Sequence, residues 1–173
     1  MGFLIPNGSL LLHVGCGSDP LPDWITGVKE VRLDIVPDYA PDIVANMIDM
    51  GEIGTFDAIL CRHSLEHLPP HDVSRALKEF LRVLNPGGVA LIFVPDLEGV
   101  SATEEVLFES PAGPICGLDL MYGYRKVLEE CPYMAHKTGF VSSTLRKELE
   151  QAGFNQVSVT RLSNYDMMGV GIK

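Results

Sequence analysis

The sequence predicts an α/β domain: a doubly wound, mostly parallel sheet of seven strands closed by an antiparallel hairpin. Three observations carry this. A short apolar run, Leu10-Leu11-Leu12-His13-Val14, stops abruptly at Gly15-Cys16-Gly17, the pattern of a buried strand that ends in a bare turn. Further apolar runs at residues 31–35, 42–47, 56–61 and 89–95 are separated by breakers or by a helical stretch, as in strands joined by crossovers. The last two runs, residues 156–162 and 167–172, are split only by Ser163-Asn164-Tyr165-Asp166, a turn short enough for a hairpin.

A chain of 173 residues fits one domain, taken here as residues 1–173, and suffices to bury a core. Thirteen Lys and Arg against 23 Asp and Glu give a net charge of −10, with no basic stripe, so direct nucleic-acid binding is not expected. The segment before the first strand lacks a basic leader, and its apolar run falls far short of a membrane span. A cytoplasmic location and no membrane contact are therefore the expectation. Cys16, Cys61, Cys116 and Cys131 stand far apart and read as reduced thiols. The sequence leaves open whether the chain pairs as a homodimer.

After the glycine turn a doubly wound fold normally runs a full helix back along the sheet. Here Pro20, Pro22 and Gly27 leave room for a single turn at most. The second strand, residues 31–35, then ends in Asp34 and Ile35. A carboxylate in that place accepts hydrogen bonds from the hydroxyls of a nucleotide-like ribose. Residues 42–47 form a short third strand and residues 56–61 a fourth.

The clearest helix is residues 71–85, with Val73, Ala76, Leu77, Phe80, Leu81 and Leu84 on one face. Asn85-Pro86-Gly87-Gly88 stops it, and the fifth strand follows at residues 89–95. Residues 96–140 lose this rhythm. They read as an insertion over the carboxyl edge of the sheet, a lid on a site, with short helices near residues 103–108 and 122–129 and loop at 109–117. Ser142 or Ser143 caps a last helix through Ala152, and Gly153 ends it.

These landmarks resemble the class I S-adenosylmethionine-dependent methyltransferases, a Rossmann-like family, and within it the type 11-like members. Gly15-Cys16-Gly17 after an apolar strand is the first match. Phe56-Asp57-Ala58-Ile59 followed by Leu65-Glu66-His67-Leu68 is the second, and Arg82-Val83-Leu84-Asn85-Pro86-Gly87-Gly88 the third. Pro20-Leu21-Pro22-Asp23-Trp24 resembles a subgroup in which such a segment replaces the long first helix. Two positions depart from the family: His13 stands where an acid is usual, and Asp19 where a small residue is usual.

The resemblance implies S-adenosylmethionine as cofactor. It is held by the turn at His13, Gly15, Cys16 and Gly17, by Asp34 and Ile35 at the ribose, and by Asn46 and Met47 at the adenine, with Asp49 a second polar candidate. The backbone near Cys61 and His63 lies against the methionine part. Transfer of a methyl group to a small-molecule or polymer-linked sugar or peptide acceptor follows, and residues 96–140 set the acceptor's identity.

A methyl sulfonium is already electrophilic, so the protein mainly aligns the nucleophile and excludes water. An acceptor protonated at neutral pH needs a base, for which His67 and His136 are the candidates. Two other readings remain open. One is a non-catalytic module that binds the same cofactor, since a fold does not fix its usual activity. The other is a nicotinamide-dependent oxidoreductase, against which Pro20 stands where a third glycine is needed. His63-x-x-Glu66-His67 also spells a zinc-peptidase signature, but a preceding strand and Pro69-Pro70 deny it the helix it needs, so no metal is expected.

Overall fold

The computed structural model describes residues 5–173. Seven strands form one sheet in the order β3-β2-β1-β4-β5-β9-β8. They are β1 (Leu10–Val14), β2 (Lys29–Asp34), β3 (Ile43–Val44), β4 (Phe56–Arg62), β5 (Leu84–Pro95), β8 (Gln156–Arg161) and β9 (Asp166–Ile172). The first five run parallel; β9 lies antiparallel between β5 and β8. A parallel sixth strand, as a nicotinamide dehydrogenase would have, is thereby replaced by the expected hairpin. Asn164 and Tyr165 turn it with φ of 58° and 55°, the left-handed pair that suits the twist of antiparallel strands.

The two faces of the sheet are covered unequally. Helices α1 (Pro70–Val83) and α3 (Ser142–Ala152) pack side by side on one face, where Val73, Ala76, Leu77, Phe80, Leu145 and Leu149 meet Leu12, Val14, Ile59 and Ile92. On the other face Leu11, Leu60, Leu91 and Phe93 are covered by coil, through Leu21, Ile25 and Val28. The prolines after the glycine turn leave no helix there, and Trp24 instead lies 6.0 Å from the Phe93 ring. The sheet thus keeps its doubly wound strand order while one of its two helical layers is reduced to a strap.

Several boundaries differ from the sequence expectation for local reasons. Helix α1 ends at Val83 rather than 85, because Leu84 already pairs with Phe56, and Asn85-Pro86-Gly87-Gly88 form a bulge in β5 opposite Asp57. Asn85 Nδ2 donates to Asp57 Oδ1 at 2.8 Å and anchors that bulge. Strand β3 stops after two residues, since the Asn46 side-chain oxygen accepts the Ile48 N–H at 3.2 Å and folds the chain into a turn. Ile35 lies just past the end of β2.

Residues 103–108 are not helical: β6 (Val106–Ser110) pairs with β7 (Gly113–Cys116) about Pro111-Ala112. The β-preferring Val106 and Phe108 and the proline turn outweigh the helical signal. A short α2 (Gly117–Tyr122) and single 3-10 turns at Arg125–Val127 and Pro132–Met134 take the place of one helix at 122–129. The insertion leaves and returns at one point, where Leu97 N–H donates to Phe140 O at 2.9 Å beside the buried Phe140 ring.

Helix α3 begins as expected but is capped by Thr144, whose Oγ1 accepts the Val141 N–H at 3.0 Å, and not by Ser142 or Ser143. Gly153 ends it in the left-handed region, φ 108°. Among the described residues no helix is long and apolar enough to cross a membrane.

Candidate active site

A cavity of about 530 Å³ opens at the carboxyl ends of β1, β2 and β4, large enough for a nucleoside-sized ligand. Its floor is the glycine turn. Gly15 (φ 64°) and Cys16 present their N–H groups to Leu33 O at 2.8 and 3.3 Å, and Gly17 (φ 50°) donates to Asp34 Oδ2 at 2.8 Å. The other oxygen, Oδ1, accepts the Val36 N–H at 2.9 Å. Asp34 is therefore buried and aimed at the glycines, with lone pairs still free on both oxygens. A Cβ built on Gly17 would meet nothing within 4 Å, so the backbone there borders open space.

Arg32, two residues before Asp34, holds the turn from the other side. Its guanidinium donates to Gly17 O at 2.7 Å and to Asp19 O at 2.9 Å. Ser64 Oγ donates to Gly15 O at 3.1 Å, which ties the β4 exit loop to the same turn. Neither residue is among the sequence candidates. For Arg32 the available signal is its strand alternation with Asp34, which puts both side chains on one face of β2.

The sequence candidates divide into those that the cavity gathers and those that it does not. Gly15, Cys16, Gly17, Asp34, Ile35, Asn46, Met47, His63 and His67 line it. His13 does not: it sits on the opposite face of β1 from Leu12 and Val14, and its Nδ1 pairs with Glu30 Oε1 at 2.8 Å. Burial holds its pKa below the ordinary range, with the Glu30 contact opposing. Cys61 is wholly enclosed in the α1 side of the core, where burial pushes its thiol pKa far up, so Arg62, His63 and Ser64 form the wall in its stead. Asp49 is exposed and pairs back to Asn46 outside the cavity.

His136 is likewise not part of the lining, and its Nδ1 lies 2.9 Å from Leu120 O. His67 is in the wall, but each of its nitrogens faces a carbonyl, Nε2 that of His63 at 3.1 Å and Nδ1 that of Ala135 at 3.3 Å. Neither ring thus presents a lone pair to the cavity, as a base would have to. The imidazole that does face it is the half-exposed His63, at a strained φ of 47°, between Glu66 Oε1 at 3.6 Å and Asp166 Oδ1 at 3.8 Å. Partial desolvation alone would depress its pKa; the two carboxylates outweigh this and raise it.

Residues 2–159 match the sequence model of the family Methyltransf_23, described as a methyltransferase domain. The chain belongs to this methyltransferase-domain family. A curated relative, the ubiquinone biosynthesis O-methyltransferase of Xanthomonas axonopodis pv. citri, is 26% identical over 103 residues, 49% of this chain and 42% of the relative. The chain thus matches less than half the length of that relative.

Among solved structures, an S-adenosylmethionine-dependent methyltransferase from Mesorhizobium loti superposes with a TM-score of 0.69 at 14% identity, covering 98% of this chain and 94% of the other. The 1,6-didemethyltoxoflavin-N1-methyltransferase of Burkholderia thailandensis, solved with its substrate and S-adenosylhomocysteine, gives 0.65 at 16% identity over 96% and 72%. S-adenosylmethionine is the cofactor of this methyltransferase family. The fit in this chain is one of chemistry: an acidic side chain for hydroxyls, bare backbone for close approach, and apolar Ile35 and Met47 for a flat ring.

Proposed function

We propose that this chain transfers a methyl group from S-adenosylmethionine to a small-molecule or polymer-linked acceptor bound beneath residues 96–140. The reading rests on one relationship: the Asp34 carboxylate and the Gly17 backbone meet at 2.8 Å on the floor of a cavity of nucleoside size. The donor brings an electrophilic methyl group, and the chain's own residues do the rest. Asp34 accepts the ribose hydroxyls while its bonds to Gly17 and Val36 keep it in place. Asn46 and Met47 flank the adenine. The backbone of Arg62 to Ser64 lies along the methionine part.

Cys131, Tyr133, Met134 and Lys137 of the insertion border the same cavity, which supports a covering role for residues 96–140. They exclude water and align the acceptor, and transfer proceeds by positioning. His63 is the imidazole positioned to take a proton from an acceptor that carries one.

The test is calorimetric titration of the purified chain with S-adenosylmethionine and S-adenosylhomocysteine, followed by transfer of labelled methyl groups into extract fractions. Binding of both ligands and labelling of a fraction are expected. No binding to wild-type protein would refute the donor site, and binding without transfer to any acceptor would turn the reading to a non-catalytic module.

A further inference from the structure

Beside the cavity wall, in the 3-10 turn Leu65–His67, Glu66 is 1% exposed, and its Oε2 has no hydrogen-bond partner among the described residues. A buried carboxylate oxygen left without a donor is costly and needs a partner, whether a bound water or a cation. The insertion supplies its neighbours. Lys137 and Thr138 donate their N–H groups to Glu66 O at 2.8 and 3.0 Å, which clamps this stretch against the turn and sets the His136 ring 5.2 Å from that of His67. One ligand-capable atom each from Glu66, His67 and His136 lie within 4.8 Å of one another.

The imidazole protons in this cluster leave lone pairs bare. His136 Nδ1 is 2.9 Å from Leu120 O, where only an N–H is favourable, so Nε2 of the neutral ring is a bare lone pair. His67 has carbonyl oxygens beside both nitrogens, and a neutral ring carries one N–H, so its other nitrogen also holds a lone pair. His63 Nδ1 stands 3.6 Å from Glu66 Oε1, too far for a hydrogen bond. A buried carboxylate oxygen without a donor and the bare Nε2 of His136 thus stand beside the His67 ring, in a cluster whose ligand-capable atoms lie within 4.8 Å of one another.

We propose that Glu66, His67 and His136 bind one divalent transition-metal ion of the zinc class. Two imidazoles and one carboxylate form a donor set that suits zinc and leaves a coordination position open. The contact of His136 with a backbone carbonyl is the outer-shell bond that fixes a metal-binding tautomer. His63 takes no part, and the ligands are not those of a zinc-peptidase helix: two adjacent residues come from a turn and the third from the insertion. Because His67 is also in the cavity wall, the open position adjoins the space assigned to the acceptor. That last clause alone rests on the proposed function; the metal site itself does not.

The test uses the full chain, free of any affinity tag and stripped with chelator, without S-adenosylmethionine. Zinc is titrated against a chromophoric competitor, and cobalt(II) is followed by visible absorption. One equivalent of metal is expected, with cobalt bands of a four- or five-coordinate site and no thiolate charge-transfer band. Glu66→Gln and His136→Gln should each weaken zinc binding by more than about 100-fold, beyond the loss typical of an outer-shell partner. His71→Ala, at a surface position outside the cluster, should leave it unchanged.

Circular dichroism of the stripped proteins separates lost ligands from lost folding, and if Glu66→Gln does not fold, His136→Gln decides. Failure of wild type to take up about one equivalent, a thiolate band, or unchanged affinity in a folded variant would overturn the proposal. None of these outcomes touches the donor site, which is read by S-adenosylhomocysteine binding.

Discussion

Asp34 Oδ2 accepts the Gly17 N–H at 2.8 Å while Oδ1 accepts that of Val36 at 2.9 Å, so one carboxylate organises the turn before it and the chain after it. Arg32 completes the arrangement from the carbonyl side, through Gly17 O and Asp19 O. The turn that meets the ligand is thus shaped by charged side chains of β2 before any ligand arrives.

Removing that carboxylate should act on binding and on stability together. Asp34→Ala leaves two N–H groups without acceptors, a cost of about 1–3 kcal/mol in all, since water in the cavity replaces part of what is lost. Affinity for S-adenosylhomocysteine should fall by more than about tenfold. Thermal melting and calorimetry read the two effects, and unchanged affinity in a folded variant would contradict the ribose role.

Far from the cavity, Gly171 should separate packing from function. A Cβ there would lie 2.7 Å from the Phe154 ring, which seats directly on β9. Gly171→Ala should therefore destabilise by about 1–3 kcal/mol, the usual cost of overpacking. A lower urea midpoint with an unchanged slope, and full binding of S-adenosylhomocysteine by the folded fraction, are the expected readouts.

The buried His13 should leave a mark on the pH dependence of stability. Its folded pKa is held below the ordinary 6.5, chiefly by burial, with Glu30 opposing and Arg32 and Arg62 adding to the depression. Between the folded and unfolded values the unfolded chain binds the extra proton. The stability concerned is thus complete above pH 6.5 and is lost as pH falls from there toward the folded value. His13→Gln should flatten that part of the melting-temperature profile between pH 7 and pH 5. His63 and His136 titrate alike in both proteins, so the difference between the two profiles isolates His13.

Local patterning made the frame legible. The apolar run to Val14, the single-face helix from Val73 to Phe80, and the turn at Asn164-Tyr165 each carry their structure within a few residues, because burial period and turn chemistry are local properties. The same locality explains the errors. The weak β preference of Val106 and Phe108 becomes a strand only by pairing with Gly113–Cys116, and the length of β3 depends on a side-chain bond from Asn46.

By itself the sequence determined the strand order's raw material, the bare glycine turn, the acid at the end of β2 and the family to which the chain belongs. Only the tertiary structure decided which face of β1 His13 occupies, that Cys61 is sealed in the core, and that Arg32 holds the turn. It also brought His136 from the insertion to Glu66 and His67. The physical reason is that these are contacts between segments distant along the chain, fixed by strand pairing and by backbone bonds such as that from Lys137 to Glu66, which no local window contains.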